Sequence, residues 1–427
     1  IFLMSHLIIW TIVPSISNVN LPLDTIEALA WGSNLSWGYP KHPPVSAFMV
    51  ETVFSFFGNQ DWAYYFLSQI FVIVAFIYVW KFSNLIFKDK LYSLCSVLLL
   101  EGIYFYNFTT PEFNVNVCQL PFWSLVVYYS WRIYTSKDIK LSDCFLVGIF
   151  AAIGFLSKYL FIYLLISIDL LFIYLIFFKK TKKFDFKYLI TLEIFLVLLI
   201  PHFIWLNNND FVSIFYGLKR TGLEESALLD HIKYPLIFLF KQIGILIPFF
   251  FLVFLITKKI YFKFNLNDKK LLFLIFINLV PLILIFTTSL FTGSKIRTMW
   301  MTPFYLFFGT LLIYIFQKQI KLNKIKNFYI AFIFLFLLSP TIYAYISINQ
   351  TDKRTDYAGK EIASKVQKKW NLEFNEAINV VLGNEWNAGN LSYHLKSRPV
   401  WEGEVDKSKL DSYNTFLCID NICVGNK

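Results

Sequence analysis

The chain has 427 residues, of which 57% are hydrophobic and 20% aromatic, and its mean hydropathy is +0.56. Because this apolar content exceeds what the core of a soluble protein of such length needs, it excludes an ordinary soluble protein and indicates a membrane protein. The net charge of +11 predicts no nucleic-acid partner, since Lys and Arg recur in the loops between apolar segments.

Mostly apolar segments of the length that crosses a bilayer as a helix recur along the chain. We predict about eleven membrane-spanning helices, at residues 1–13, 62–80, 91–106, 115–131, 141–157, 159–178, 188–205, 234–256, 271–290, 300–316 and 328–347. The first of them is too short to cross and lacks an initiator Met, so we expect a clipped N-terminus rather than a cleaved signal peptide.

The orientation follows from the basic residues, which concentrate in the cytoplasmic loops of membrane proteins. Alternate loops contain 20 Lys and Arg residues, whereas the opposite loops contain only seven, namely Lys41, Lys158, Lys219, Arg220, Lys233, Lys295 and Arg297. We therefore expect these seven on the outer side, together with two long connections at residues 14–61 and 206–233. Residues 1–347 form the predicted transmembrane domain.

The composition changes after residue 347. Residues 348–427 begin with a polar linker and an amphipathic helix, followed by short apolar runs such as "AINVVLG" and "TFLCID" with turn residues between them. This pattern predicts a small soluble α/β domain on the outer side. Cys418 and Cys423 could form a local disulfide there, whereas Cys95, Cys118 and Cys144 are expected to pack as small hydrophobic residues.

The connection "LPLDTIEALAWGSNLSWGYPKHPPVSAF", residues 21–48, holds two acids and two bases between apolar segments. Asp24 and Glu27 are three residues apart, so they could form a capping box that starts a short interfacial helix. Alternatively, both carboxylates face a polar cavity, because an acid near a bilayer is costly unless it meets water or a partner. Two prolines follow Lys41 and His42 and restrict the backbone, so the loop holds these bases in a set direction.

Four further segments follow in order, "TTPEFNVNVCQLPFW", "GFLSKYLF", "PHFIWLNNNDFVSIFYGLKR" and "GSKIRTMWMTPFY". Together with the first loop, they resemble the motifs of the glycosyltransferase-C membrane enzymes, particularly bacterial relatives of the protein O-mannosyltransferases and of the lipid A aminoarabinose transferase. The resemblance covers most of residues 20–310. In two departures, Glu112 stands where Asp is more common, and Lys41-His42 leaves open which side chain is the phosphate ligand.

The resemblance implies a reaction that takes a sugar from a polyprenyl phosphate. Such a site needs a carboxylate to hold or deprotonate the acceptor hydroxyl and cations to stabilise the phosphate. Asp24 is the expected base, with Glu27 and Glu112 as further acids of the site. The expected phosphate ligands are, in order, Lys295 with Arg297, Lys41 with His42, and Lys158.

Other charged residues have less defined expectations. His42 could join Asp24 and Glu112 on a divalent cation, and metal dependence stays open. A further set in the second long loop is expected to contact the acceptor or lipid headgroups, or to form a solvated face: Lys219, Arg220, Glu224 and Glu225.

The sequence therefore predicts an all-α polytopic membrane protein of the glycosyltransferase-C type with a small C-terminal α/β domain. Its expected function is transfer of a sugar, with inversion, from a polyprenyl-phosphate donor to an envelope glycolipid such as lipid A, on the periplasmic face of a bacterial inner membrane. A protein acceptor is the alternative within the same class. A transporter or flippase of lipid-linked sugars is the alternative from another class, favoured only by Glu101 and Lys241, which lie nearer the interior of their spans.

Overall fold

The computed structural model of the protein describes residues 1–222, 227–257, 265–320, 325–406, 413–419 and 421–426. Helices make up most of it up to residue 349. They are α1 (Phe2–Ser17), α2 (Leu23–Gly32), α3 (Val45–Phe57), α4 (Asp61–Phe87), α5 (Lys90–Leu98), α6 (Val115–Cys118), α7 (Leu120–Thr135), α8 (Leu141–Ser157), α9 (Ile162–Ile173), α10 (Lys187–Asn208), α11 (Val212–Arg220), α12 (Asp230–Ile256), α13 (Lys269–Thr292), α14 (Phe308–Phe316) and α15 (Ile325–Asn349).

Six described helical stretches are long and apolar enough to cross a membrane: α4, Tyr159–Phe178 around α9, α10, α12, α13 and α15. A seventh is present if the 3₁₀ segment Thr298–Tyr305 and α14, which meet at 52°, form one bent span. Three shorter apolar helices, α1, α3 and α8, have 10 to 17 residues. The chain is thus a multi-pass membrane protein, while the predicted count of eleven spans is not confirmed.

The predicted segment 91–106 shows why sequence overcounts continuous helices. Helix α5 ends at Leu98 and gives way to the 3₁₀ turn Leu99–Gly102. Beyond it, the side-chain amide of Asn107 donates to the backbone carbonyl of Glu101 at 2.9 Å and to its Oε1 at 3.1 Å. The Glu101 carbonyl thus accepts a hydrogen bond from a side chain instead of from the backbone N–H of a continuing helix. The α-helix is therefore broken at this point.

Aromatic side chains fill the centre of the helical bundle. The ring of Phe82 on α4 lies 5.8 Å from Trp131, 5.8 Å from Phe273 and 5.0 Å from Phe307. These residues come from α7, α13 and the turn before α14. Because lipid tails are as apolar as these side chains, close van der Waals packing of this kind holds helices together in a membrane.

The predicted outer and inner loops gather at opposite ends of the bundle. At one end, the backbone N–H of Lys295 donates to the carbonyl of Thr221 at 2.8 Å. At the other end, Lys187 pairs with Asp138 at 3.1 Å, and the Tyr314 hydroxyl donates to Asp268 at 2.7 Å. Contacts therefore form within each predicted set of loops, and the orientation of the two sets across a membrane stays a prediction.

The C-terminal part contains helices and a small sheet, as predicted. Its elements are α16 (Gly359–Glu373), β1 (Val380–Leu382), α17 (Asn387–His394), β2 (Val400–Trp401), β3 (Thr415–Ile419) and β4 (Ile422–Asn426). The sheet has the order β2-β1-β4-β3, with β1 parallel to β2 and the other pairs antiparallel. Cys418 and Cys423 form a disulfide between β3 and β4, and the described free cysteines are buried.

This C-terminal part packs on helix α2. The guanidinium of Arg398 donates to the carbonyl of Leu29 at 2.7 Å and to Oε2 of Glu51 at 2.6 Å. Gly389 on α17 permits close approach, because a Cβ there would lie 3.0 Å from the side chain of Ala30. Helix α2 is therefore held from the side that faces away from the membrane bundle.

Candidate active site

Helix α2 is capped by an acid from another segment. Its N-cap residue is Pro22, which has no side-chain cap bond, and the backbone N–H of Asp24 donates instead to Oε1 of Glu112 at 3.0 Å. The capping-box interpretation of Asp24 and Glu27 is therefore wrong. The helix N-terminus takes its acceptor from Glu112, which leaves the Asp24 carboxylate facing the space beside the helix.

That space is a cavity of about 880 Å³ at the end of the bundle where the predicted outer loops meet. Its volume is within the range of roughly 300–1,000 Å³ typical of ligand sites. Seven of the eight predicted site residues line it: Asp24, Glu27, Lys41, His42, Glu112, Lys158 and Arg297. Loops far apart in the sequence therefore converge on one site.

Lys295 and Lys219 are placed differently from Arg297 and Arg220. Both lysines and Arg220 are exposed, but of these three only Arg220 belongs to the described residues that line the cavity. The expected pair of Lys295 with Arg297 is thus divided, and Arg220 stands beside Arg297 in the lining.

The two facing acids are affected by burial. Burial, together with the charge of the nearby Asp24 carboxylate, raises the pKa of Glu112 to about 8, against the opposing hydrogen bond from the Asp24 N–H. Burial also raises the pKa of Asp24, although Lys158 opposes that shift. Glu112 is therefore protonated near neutral pH, and Asp24 is the better candidate for an ionised carboxylate.

Lys158 is the most buried cation of the site, with 5% of its surface exposed. Its ammonium donates to Oδ1 of Asn116 and lies 5.2 Å from the centroid of the Trp300 ring. Burial lowers the pKa of Lys158 to about 7, while the Asp24 carboxylate opposes the shift. An incoming anion would stabilise the charged form of this lysine.

Lys41 lies between two carboxylates. Its Nζ is 2.8 Å from Oε1 of Glu27 and 3.3 Å from Oε2 of Glu385. Burial lowers the pKa of Lys41, but the hydrogen bond and charge of Glu27 outweigh it and raise the pKa overall. Lys41 is therefore protonated, and its positive charge is already balanced by the two neighbouring carboxylates.

His42 is neutral at physiological pH. Burial lowers its pKa to about 3, and the charges of Lys158 and Lys41 add to this effect. The ring lies 5.9 Å from Trp31 and 6.4 Å from Tyr216. His42 can therefore donate or accept a hydrogen bond in the cavity but does not supply a positive charge.

Hydrogen bonds through His202, which the sequence analysis did not single out, connect residues in the wall of the cavity. His202 on α10 contacts the carbonyl of Trp37 through Nδ1 at 2.6 Å and the hydroxyl of Tyr159 through Nε2 at 2.9 Å. Tyr159 in turn contacts the hydroxyl of Ser213 at 2.6 Å. Tyr159 and Ser213 line the cavity, so His202 links the first loop to the segment after α10. The signal for it was present in "PHFIW", where a His lies inside an otherwise apolar segment.

Gly38 fixes the same loop against α10. A Cβ at this position would lie 2.2 Å from the indole ring of Trp205. Only glycine allows the loop backbone to approach the ring so closely. The "WGY" segment is therefore placed by packing as well as by the His202 hydrogen bond.

Several predicted charged residues lie elsewhere. Glu224 and Glu225 are outside the described residues. Within the described ranges, no three His, Cys, Asp or Glu side chains are grouped so that they could hold a metal ion, so Asp24, His42 and Glu112 do not form the suggested cation site. Glu101 is buried 3.6 Å from His6 inside the bundle, and neither residue lines the cavity.

Comparisons with known proteins agree with these motifs. The family model described as dolichyl-phosphate-mannose-protein mannosyltransferase matches residues 41–205. The lipopolysaccharide core galacturonosyltransferase RgtB of Rhizobium johnstonii is 24% identical over 214 residues, which cover 50% of this chain and 43% of that protein. The undecaprenyl phosphate-α-4-amino-4-deoxy-L-arabinose arabinosyl transferase of Wigglesworthia glossinidia brevipalpis is 28% identical over 153 residues, 33% of this chain and 27% of that protein. The chain thus spans less than half the length of these curated relatives.

The fold also has a counterpart among solved structures. The crystal structure of ArnT from Cupriavidus metallidurans bound to undecaprenyl phosphate superposes with a TM-score of 0.63, covering 96% of this chain and 86% of that one at 12% identity. Its apo structure gives a TM-score of 0.61 with the same coverage. At such low identity, the likeness establishes the fold alone. The resemblance predicted from the loop motifs is therefore confirmed, and the chain is similar to the glycosyltransferase-C membrane glycosyltransferases, the lipid A aminoarabinose transferase among them.

Proposed function

We propose that the chain is a membrane glycosyltransferase that moves a sugar from a polyprenyl-phosphate donor to an envelope glycolipid. The observation that carries this proposal is the shared cavity, in which an acid pair lies opposite three cations. Asp24 and Glu112 lie at one wall, and Lys158, Arg220 and Arg297 line the same space. A carboxylate for a hydroxyl and cations for a phosphate are the two requirements of this reaction.

The donor fits the cavity by charge and by polarity. Lys41 is already paired with Glu27 and Glu385 and His42 is neutral, so the phosphate is bound mainly by Lys158, Arg220 and Arg297. Arg can hold two phosphate oxygens at once, and Lys adds a compact charge. Apolar residues next to these cations accept the first part of the lipid chain: Leu160, Ile162, Ile296 and Met299. Lys295, exposed nearby, attracts the donor without holding it.

Asp24 acts as the base. The acceptor hydroxyl oxygen forms a bond to the anomeric carbon while the bond from that carbon to the phosphate oxygen breaks. The electron pair leaves with the polyprenyl phosphate, and the proton of the hydroxyl passes to Asp24. Because the phosphate is a good leaving group, no strong acid is needed, and direct displacement inverts the anomeric carbon.

Glu112 and Glu27 support this base. Glu112 holds the N-terminus of α2 and, being protonated, does not add a second negative charge beside Asp24 when the phosphate binds. Glu27 holds Lys41. Two carboxyl groups in different environments thus take different tasks.

The location follows from the loops. We propose a bacterial inner-membrane protein with about eleven spans, counting the shorter and broken helices, and with the site on the periplasmic face. Residues 1–347 would form the transmembrane domain and residues 348–427 the periplasmic domain. The 20-to-7 division of basic residues supports this orientation.

The substitution Asp24→Asn tests the function. The change removes the proton acceptor and the charge while keeping side-chain shape. We expect the variant to insert normally and to transfer sugar slower by a factor of at least ~100, the lower end of what a positioned base contributes. Turnover would be measured with purified protein in nanodiscs, using a polyprenyl-phosphate sugar and lipid A or an acceptor protein. Near-normal turnover would remove Asp24 from the chemistry, and movement of the donor across the bilayer without transfer would support the flippase alternative.

A further inference from the structure

A second cavity adjoins the proposed active site. It has a volume of about 430 Å³ and shares Leu23, Glu27 and Lys41 with the larger cavity. The rest of its lining comes from the C-terminal part: Arg354, Tyr357, Asn384, Glu385, Trp386 and Asn387. The C-terminal part therefore builds one wall of a space that leads to Asp24.

We propose that this second cavity binds the sugar portion of the acceptor, as an uncharged, hydroxyl-rich ring. The inference rests on the proposed function, because it divides the two substrates between the two cavities. The donor phosphate takes the cavity of Lys158, Arg220 and Arg297, and the acceptor approaches Asp24 from the second cavity.

The charges of the second cavity favour an uncharged ligand. Its described lining holds two acids, Glu27 and Glu385, and two cations, Lys41 and Arg354. Lys41 contacts both acids, so little net charge remains to attract a phosphate. The described lining of the larger cavity holds four cations, Lys41, Lys158, Arg220 and Arg297, against three acids, Asp24, Glu27 and Glu112. The donor phosphate is therefore better placed in the larger cavity, and the acceptor sugar in the second one.

The polar and aromatic groups suit a sugar ring. Trp386 is buried, with 8% of its surface exposed, and it packs against Tyr357 at 5.2 Å and the Arg354 guanidinium at 5.3 Å, so it gives the cavity a rigid aromatic floor. Asn384 and Asn387 add amide donors and acceptors that can bind hydroxyl groups. Apolar ring faces with a few oriented polar groups are the usual composition of a small-ligand site.

Lys41 lies at the boundary of the two cavities. Its two ion pairs join α2, through Glu27, to the C-terminal part, through Glu385. Because Lys41 and Glu27 line both cavities, this contact lies where the two spaces adjoin. The Lys41–Glu385 pair is the weaker of the two by distance, so we infer that it opens when the acceptor enters, while Lys41 stays on Glu27.

Kinetics with both substrates varied tests the assignment. Glu385→Gln and Asn387→Ala should raise KM for lipid A by about tenfold, the effect of losing one hydrogen bond to a charged group or a comparable contact, with KM for the polyprenyl-phosphate sugar unchanged. The matched controls are Glu373→Gln and Phe416→Ala, which alter exposed residues of the same C-terminal part and should change neither value. An effect confined to the donor KM, or none, would overturn the inference.

A binding experiment gives a readout that needs no turnover. The described free cysteines are buried, so a maleimide should label the Asn384→Cys variant at its new thiol. Lipid A in nanodiscs, with or without its phosphates, should slow this labelling at least about threefold, whereas undecaprenyl phosphate should not. The Glu373→Cys variant, outside both cavities, should show no protection.

The outcomes separate this inference from the proposed function. Protection by undecaprenyl phosphate, protection only by phosphorylated lipid A, or protection by neither glycolipid overturns the inference. If the wild-type protein transfers no sugar to any acceptor, the proposed function fails instead, whatever the labelling shows.

Discussion

The backbone N–H of Asp24 and the carboxylate of Glu112 meet at 3.0 Å, although 88 residues separate them in the chain. One acid thereby caps the helix that carries the other. The contact fixes the position of Asp24 relative to the segment that precedes α6. The two acids therefore have separate tasks that substitution can distinguish.

We expect Glu112→Gln to retain transfer within about threefold, because the Gln carbonyl can accept the Asp24 N–H and Glu112 is protonated near neutral pH. Glu112→Ala should leave the N–H unpaired, at a cost of about 1–3 kcal/mol, and should lower both thermal stability and turnover. Melting temperature and rate in nanodiscs would be measured for both variants. A loss of about 100-fold or more in Glu112→Gln alone would make Glu112 the base.

The phosphate cations should differ in effect according to their position. Arg297→Ala should weaken binding of undecaprenyl phosphate by roughly 10- to 100-fold, as expected for loss of a hydrogen bond to a charged group. Lys295→Ala and Lys219→Ala change exposed lysines outside the described lining of the cavity and should cost less than about threefold. Equal effects for all three would mean that these residues only meet lipid headgroups.

Donor binding should depend on the charge of Lys158. Because its pKa in the free protein is about 7, the ammonium is charged below this pH and loses its proton as the pH rises through it. We therefore expect the affinity for undecaprenyl phosphate to fall between about pH 7 and pH 9, where the phosphate, with a second pKa of about 6, no longer changes its charge.

The substitution Lys158→Arg should flatten this dependence, because Arg keeps its charge over the whole range. Lys219→Arg, an exposed lysine, serves as the control and should keep the wild-type profile. Identical slopes in wild type and Lys158→Arg would show that another group titrates.

Gly38→Ala should displace the first loop from α10. The added Cβ would lie 2.2 Å from the ring of Trp205, so the loop or the ring has to move and the His202 hydrogen bond is strained. We expect turnover to fall at least about tenfold through misplacement of the loop. Gly244→Ala, where a Cβ meets nothing within 4 Å, is the control, and equal activity of the two variants would refute the positional role of Gly38.

Reporter fusions test the orientation. A reporter at residue 350 should be active outside the cytoplasm, and one placed between residues 258 and 269 should be active inside it. The same side for both positions would contradict the alternation of loops and the placement of the site.

The chemistry-bearing residues could be predicted from sequence because charge near a bilayer is costly and therefore informative. This cost and the resemblance of the surrounding motifs singled out Asp24, Glu112, Lys158 and Arg297, which the structure places around one cavity. Their contacts could not be predicted, since they depend on distant segments. For example, the sequence was also consistent with a local capping box of Asp24 and Glu27, but in the structure Glu112 caps the helix.

Other differences have similar causes. Arg220 and its neighbour Lys219 have the same local signal and are both exposed, but the fold places only Arg220 at the cavity. The break after Leu98 depends on Asn107, whose amide meets the Glu101 carbonyl only in three dimensions. No sequence motif pointed to Glu385 and Trp386, because they reach the second cavity only when the C-terminal part packs on α2.

That docking has a consequence for biogenesis. Arg398 reaches the carbonyl of Leu29 across 369 residues of chain, so the segment bearing Asp24 leaves the ribosome early while its clasp is synthesised near the end. In the proposed orientation, the loop crosses the membrane before its partner has been synthesised. If the proposed function is correct, the site is completed in one late step after membrane insertion, and we expect a nascent chain interrupted before Arg398 to be inserted but inactive.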